Sequence, residues 1–139
     1  MIRRERLPQD IEERLLRLAG LLAGDDRVVF CYLFGGLARG RQAPLSDVDL
    51  AVYCDTSPDA GYRLELYERI VTCLGTDEVD LVALNTAPLS LAGRILKNRL
   101  ILVDKRPPIR HAYESRVMRE FFDFAKKEQV MLAGRFARG

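Results

Sequence analysis

The chain has 139 residues, and 22 basic side chains against 20 acidic ones leave a formal charge of only +2. That length fits one domain able to bury its own core without a disulfide or metal staple. A composition 48% hydrophobic and 30% charged excludes a disordered tail or a fibre, and near-neutrality gives no reason to expect nucleic acid as the main partner.

In chain order, Pro8 to Leu22 places Ile11, Leu15, Leu18 and Leu22 on one helical face, with Asp10, Glu12 and Glu13 in the first turn. Gly24-Asp25-Asp26 ends that helix. Val28 to Phe34 is short, β-branched and aromatic, the pattern of a buried strand. Gly35-Gly36 breaks it, a short helical stretch follows, and Gln42-Ala43-Pro44 forms a loop. Val48 to Tyr53 is the second strand. Ser57-Pro58 has the form of an N-cap and first-turn proline, opening a helix to about Leu74. Glu78 to Leu84 is the third strand, Pro88 to Lys97 a helix, and Leu100 to Val103 a last short strand. Lys105-Arg106-Pro107-Pro108 is a linker, and residues 109–135 are helical in pattern. Helices interleaved with about four strands make an α/β (α+β) fold. Its core spans about residues 10–104, and the helical tail follows within the same single domain, 1–139.

The N-terminal segment is rich in Arg and Glu and lacks an apolar signal core, and no apolar run reaches the ~18–20 residues of a membrane span. The expected location is the cytoplasm. Cys31, Cys54 and Cys73 are odd in number and in no metal spacing, so they read as free thiols. His111 is the only histidine, which removes a histidine-based zinc site.

The strands carry an anomaly. Asp47 and Asp49 sit at i and i+2 around a strand start and therefore face one side of the sheet. Asp80 lies mid-strand among Val79, Leu81 and Val82, where an aspartate is costly unless it is paired or bound to a cation. An ion pair with an arginine would satisfy it. If the second and third strands are neighbours, a three-carboxylate cluster forms, and a pair of Mg²⁺ ions would offset its mutual repulsion. The preceding loop favours that second reading. A buried strand, a glycine turn and a helix start offer backbone N–H groups to phosphate, and Arg39 sits one turn further on. A phosphate cradle beside a metal-binding pair is what nucleotidyl transfer requires.

These residues resemble a known family. Gly35-Gly36, ten residues, then Asp47-Val48-Asp49 is similar to the Gly-Ser-x10-Asp-x-Asp signature of the DNA polymerase β nucleotidyltransferase superfamily. The fuller strings, Phe34 to Gly40 and Ser46 to Val52, resemble its minimal nucleotidyltransferases (MNT), the MntA-type antitoxins paired with HEPN-domain toxins. Val79-Asp80-Leu81 resembles the segment with the third carboxylate, and Tyr113 to Arg116 with Phe121 to Phe124 resembles the family's tail helix. The resemblance implies a mixed sheet flanked by helices and two Mg²⁺ ions held by the catalytic Asp47, Asp49 and Asp80. It also implies ATP bound at Gly35, Gly36, Arg39 and Ser46, with Asp80 helping to deprotonate the acceptor hydroxyl. The implied reaction is transfer of AMP to a tyrosine of a partner HEPN toxin. Gly36 departs from the signature's serine and lacks its hydroxyl, a loss of about 1 kcal/mol in triphosphate contact. The alternatives are an antitoxin that neutralises by binding alone and a homodimeric small-molecule nucleotidyltransferase.

From Lys105 onward nine basic residues stand against four acidic ones. Tyr113, Val117, Phe121 and Phe124 make a stripe at helical spacing that either packs on the protein's own sheet or docks a partner helix. With about 30 residues after the last strand, the acceptor site is expected to be completed by another chain.

Overall fold

The structure, a computed structural model, describes residues 10–38 and 48–137. Its elements run α1 (Ile11–Ala23), β1 (Val28–Phe34), α2 (Gly35–Ala38), β2 (Val48–Cys54), α3 (Ala60–Leu74), β3 (Val79–Ala83), α4 (Leu89–Lys97), β4 (Leu100–Asp104) and α5 (Pro107–Ala137). The four strands form one mixed sheet in the order β3-β2-β1-β4. β1 is antiparallel to both β2 and β4, and β2 is parallel to β3. The expected α/β architecture with about four strands is the observed one.

Alternation along the strands builds two cores. Cys31, Leu33, Val48, Leu50 and Val52 face α1 and α3, where Leu15, Leu18, Leu22, Leu66 and Ile70 bury against them. Phe30, Tyr32 and Ala51 face the other way and meet Ala92, Ile95 and Leu96 of α4 with Tyr113 and Val117 of α5. The predicted face of α1 is buried throughout, because residues three and four apart share one side of a helix. Cys31 and Cys54 are buried free thiols, and Cys73 is half-buried. Apolar surroundings push the Cys31 thiol up to about 12, so it packs as a small hydrophobe.

Two expectations need correction, and a third, left open, is decided. The cap of α3 is Asp59, whose carboxylate accepts the Tyr62 N–H at 2.8 Å, so the helix starts after Ser57-Pro58. Pro107-Pro108 is no linker but the first turn of α5, where a missing N–H costs nothing and proline's fixed φ already suits a helix. The stripe on α5 divides. Tyr113 and Val117 are buried, Phe121 is half-buried, and Phe124 is 54% exposed. The Gln42–Pro44 loop lies outside the described residues.

Two carboxylates tie the layers. Asp25, after α1, accepts from the Arg27 N–H at 2.9 Å and the Tyr62 hydroxyl at 3.0 Å and pairs with Arg69, joining α1 to α3. Glu114 of α5 accepts from Tyr32 of β1 at 2.6 Å, from Arg99 at 2.9 Å and from Arg110 at 2.9 Å; Arg110 also pairs with Asp104 of β4 at 2.8 Å. Burial pushes the Glu114 carboxyl up, but the Tyr32 and Arg99 hydrogen bonds and the two guanidinium charges outweigh it and hold the group below its ordinary value. A carboxyl depressed on folding stabilises the fold above its unfolded pKa, and that contribution is lost as pH falls through the folded value. Glu114→Gln is therefore expected to cost about 1–3 kcal/mol near neutrality. It should also flatten the acid limb of the stability–pH curve below about pH 4.5. Urea unfolding at a series of pH values measures both.

Candidate active site

The turn between β1 and β2 sets the site. Gly35 follows the last residue of β1 with φ +74°, a left-handed conformation that glycine adopts at little cost. A Cβ there would overlap the Asp49 carboxylate at its Oδ2 oxygen, so the turn backbone and that carboxylate are in close approach. Gly36 lies inside the single turn of α2 and has no positive φ. The conformational demand therefore falls on the first glycine of the pair alone.

Asp49 is the second residue of β2, half-buried, with Phe34 of β1 and Asp80 of β3 as its register partners on either side. Neighbouring strands stand about 4.8 Å apart, and register partners in a parallel pair face the same way. Asp49 and Asp80 thus share the sheet face that carries α4 and α5, as the sequence reading required. The parallel pairing is extended past β3 by Asn85, whose amide exchanges two 2.9 Å hydrogen bonds with the Cys54 backbone.

One part of the expectation is overturned. Asp80 is exposed, because among the described residues β3 is the edge strand and its outer side has no neighbour in the sheet. The desolvation argument that singled it out does not hold; its alignment with Asp49 is what matters. Of the other predicted site residues, Arg39, Ser46 and Asp47 lie outside the described residues. Among the described residues no group of three His, Cys, Asp or Glu side chains gathers closely enough to hold a metal ion; Asp49 and Asp80 stand there as a pair.

Two cavities flank this pair. On the β1 side, a pocket of about 340 Å³ is lined by Phe34 and Gly35 and, from α4 and its C-cap, Leu91, Arg94, Lys97 and Asn98. On the β3 side, a groove of about 380 Å³ is lined by Asp80, Val79, Arg63, Leu64 and Tyr67. Arg94 and Lys97 were missed by the sequence reading. A pair of cations three residues apart on a strongly amphipathic helix is no signal by itself, and only the fold turns it toward Gly35. Among the described residues, no helix is long and apolar enough to cross a membrane.

A family model described as "Polymerase beta, Nucleotidyltransferase" matches residues 17–107, well over half of the chain. The chain belongs to this family. The "Protein adenylyltransferase MntA" of Shewanella oneidensis is 37% identical over 65 residues, spanning 47% of this chain and 46% of that protein, so the match covers less than half of the relative. The fold is shared with the crystal structure of a MntA–HpeT toxin–antitoxin mutant, at TM-score 0.69 and 22% identity, covering 94% of this chain and 99% of that one. A toxin–antitoxin structure with AMP-PNP matches at TM-score 0.68 and 23% identity, over 94% and 99% of the two chains. A third, of tri-AMPylated Shewanella oneidensis HEPN toxin in complex with MNT antitoxin, matches at TM-score 0.68 and 20% identity, over 90% and 98%.

For this nucleotidyltransferase, Gly35→Ala is expected to displace the Asp49 carboxylate and to lower stability by about 1–3 kcal/mol. It should also abolish measurable binding of a Mg²⁺–nucleotide complex. Gly75, with φ +71° and the Arg14 guanidinium against it, is the control. Gly75→Ala should lower the thermal midpoint comparably and leave nucleotide binding unchanged.

Proposed function

We propose that this protein is a single-domain, cytoplasmic adenylyltransferase that moves AMP from ATP to a tyrosine hydroxyl of a partner HEPN-domain toxin and thereby acts as its antitoxin. The observation that carries the reading is Asp49, set between a left-handed glycine turn on one side and an aligned second carboxylate, Asp80, on the other. The similarity to the MntA protein adenylyltransferase, to a toxin–antitoxin structure with AMP-PNP and to one with AMPylated HEPN toxin supports the choice of nucleotide and acceptor.

The residues present fit the divalent metal such chemistry uses. Two carboxylates side by side are the hard oxygen donors Mg²⁺ prefers, and Asp47 would add a third two residues before Asp49. Bound there, Mg²⁺ supplies neutralising charge to the phosphate oxygens and lowers the pKa of an attacking hydroxyl. The protein's own groups do the rest. Gly35, without a side chain, leaves room for the Asp49 carboxylate against the turn on which the triphosphate rests, with Gly36, Arg39 and Ser46 as the further nucleotide contacts. Asp80, exposed on the edge strand, is reached by an acceptor hydroxyl from outside the sheet and takes its proton. The acceptor oxygen then bonds to the α-phosphorus as the bond to the bridging oxygen breaks, and pyrophosphate leaves with the electron pair.

The distal half of α5 suits a protein partner. Phe122, Phe124, Val130, Met131 and Leu132 are all between 46% and 70% exposed and offer apolar side chains to a partner surface.

Incubation with Mg²⁺-ATP and the cognate toxin, read by intact mass spectrometry, should add mass to the toxin in AMP units. Asp49→Ala and Asp80→Asn should remove that addition. A toxin left unmodified yet still neutralised by the Asp49→Ala protein would sink the transfer reading in favour of occlusion. Gly36→Ser restores the signature hydroxyl at a position with no left-handed strain, and calorimetry should show ATP binding tightened about 3–20-fold.

A further inference from the structure

A triphosphate carries more charge than one glycine turn holds, and at position 36 the signature's hydroxyl is missing. Across the pocket from Gly35, the last turn of α4 presents two cations, Arg94 and Lys97. Neither is engaged by a carboxylate among the described residues. The Arg94 Nε–H makes only a 3.3 Å bond to the Ser90 carbonyl one turn back, and the Lys97 ammonium lies 4.9 Å from the Phe121 ring centroid. By contrast, Arg99 and Arg110 on the same side of the sheet are committed to Glu114.

The placement of α4 is itself constrained. A Cβ on Gly93 would overlap the Phe121 ring, so the missing side chain is what lets α5 press against α4 at that point. The pocket beside α4 is lined by Phe34 and Gly35 of the turn, by apolar Leu91 and Ile95, and by the two cations. Asp49 closes the other side of Gly35. An anion resting on the turn therefore lies between a carboxylate suited to a metal and two unneutralised cations.

We infer that Arg94 and Lys97 hold the polyphosphate of the bound nucleotide across the Gly35 turn, supplying by charge what the absent hydroxyl at position 36 does not. This rests on the nucleotidyl-transfer reading and adds two positioning residues to it. Their contacts are to the β- and γ-phosphates, so their loss discriminates between nucleotides of different phosphate number.

Calorimetric titration of the whole protein with Mg²⁺-ATP and with AMP tests this. Arg94→Gln and Lys97→Gln are each expected to weaken ATP binding about 5–20-fold while AMP affinity stays within about twofold. Arg94→Lys and Lys97→Arg should keep ATP affinity within about threefold of the parent, and Arg119→Gln, exposed on α5, should leave it unchanged. Cations that serve only to complement the negative end of α4 would shift the melting temperature without changing the ATP-to-AMP ratio, which overturns the inference. Equal losses for ATP and AMP overturn it as well. A parent protein that binds ATP with variants that bind it just as well would defeat this inference alone. A parent that does not bind ATP would defeat the nucleotidyl-transfer reading beneath it.

Discussion

The Glu114 carboxylate is held by a tyrosine of the central strand, by the arginine that precedes β4 and by an arginine one turn earlier on its own helix, and most of one face of the protein hangs from that arrangement. A charged group at 15% exposure survives only when its lone pairs are filled, and here they are filled by donors from both layers it must join. The consequence is directional. With Glu114 fixed, Tyr113 and Val117 come down onto Phe30 and Tyr32, and the α5 register is set. That register delivers Phe121 to Gly93, where the missing side chain admits it, and α5 packs closely on α4 at that point.

The two sides of the sheet are held by different physics. The α1–α3 face is an aliphatic core of leucines, isoleucines and valines, stabilised by burial at roughly 25 cal/mol per Å² of apolar surface. The α4–α5 face adds aromatic geometry to burial. Phe30 stacks on Tyr53 with ring centroids 4.9 Å apart, and Tyr113 tilts against both. Stiff aromatic packing under a polar network suits the face that carries the candidate site, because reacting groups must be placed to within a fraction of an ångström.

The site itself is an edge device. β3 lies at the margin of the sheet, so its aspartate is accessible from outside, whereas Asp49 one strand inward is half-buried beside the turn. The two carboxylates therefore differ in access, one beside the glycine turn and the other on the open edge. Arg94 and Lys97 are among the residues lining the pocket on the β1 side, and the groove on the β3 side is lined by α3 and the edge strand.

Much of this was written in the sequence by itself. Strand and helix periods, the glycine turn and the Asp-x-Asp spacing are local patterns, and local patterns are set by backbone sterics and by which residues share a face. β1 came out residue for residue, and the α1 face of Ile11, Leu15, Leu18 and Leu22 is wholly buried. Other features depended on neighbours far along the chain. Asp59 rather than Ser57 caps α3 because the cap is decided by which oxygen reaches the Tyr62 N–H. Asp80 is exposed because β3 lies at the edge, and strand order is a global property that no window of residues contains. Arg94 and Lys97 carry no local signal that sets them apart from the other charged residues of the chain. The burial of Ala92, Ile95 and Leu96 and the close approach of Phe121 to Gly93 place them in the pocket with Gly35, since long-range contacts, not local propensity, decide how one helix is rotated on a sheet.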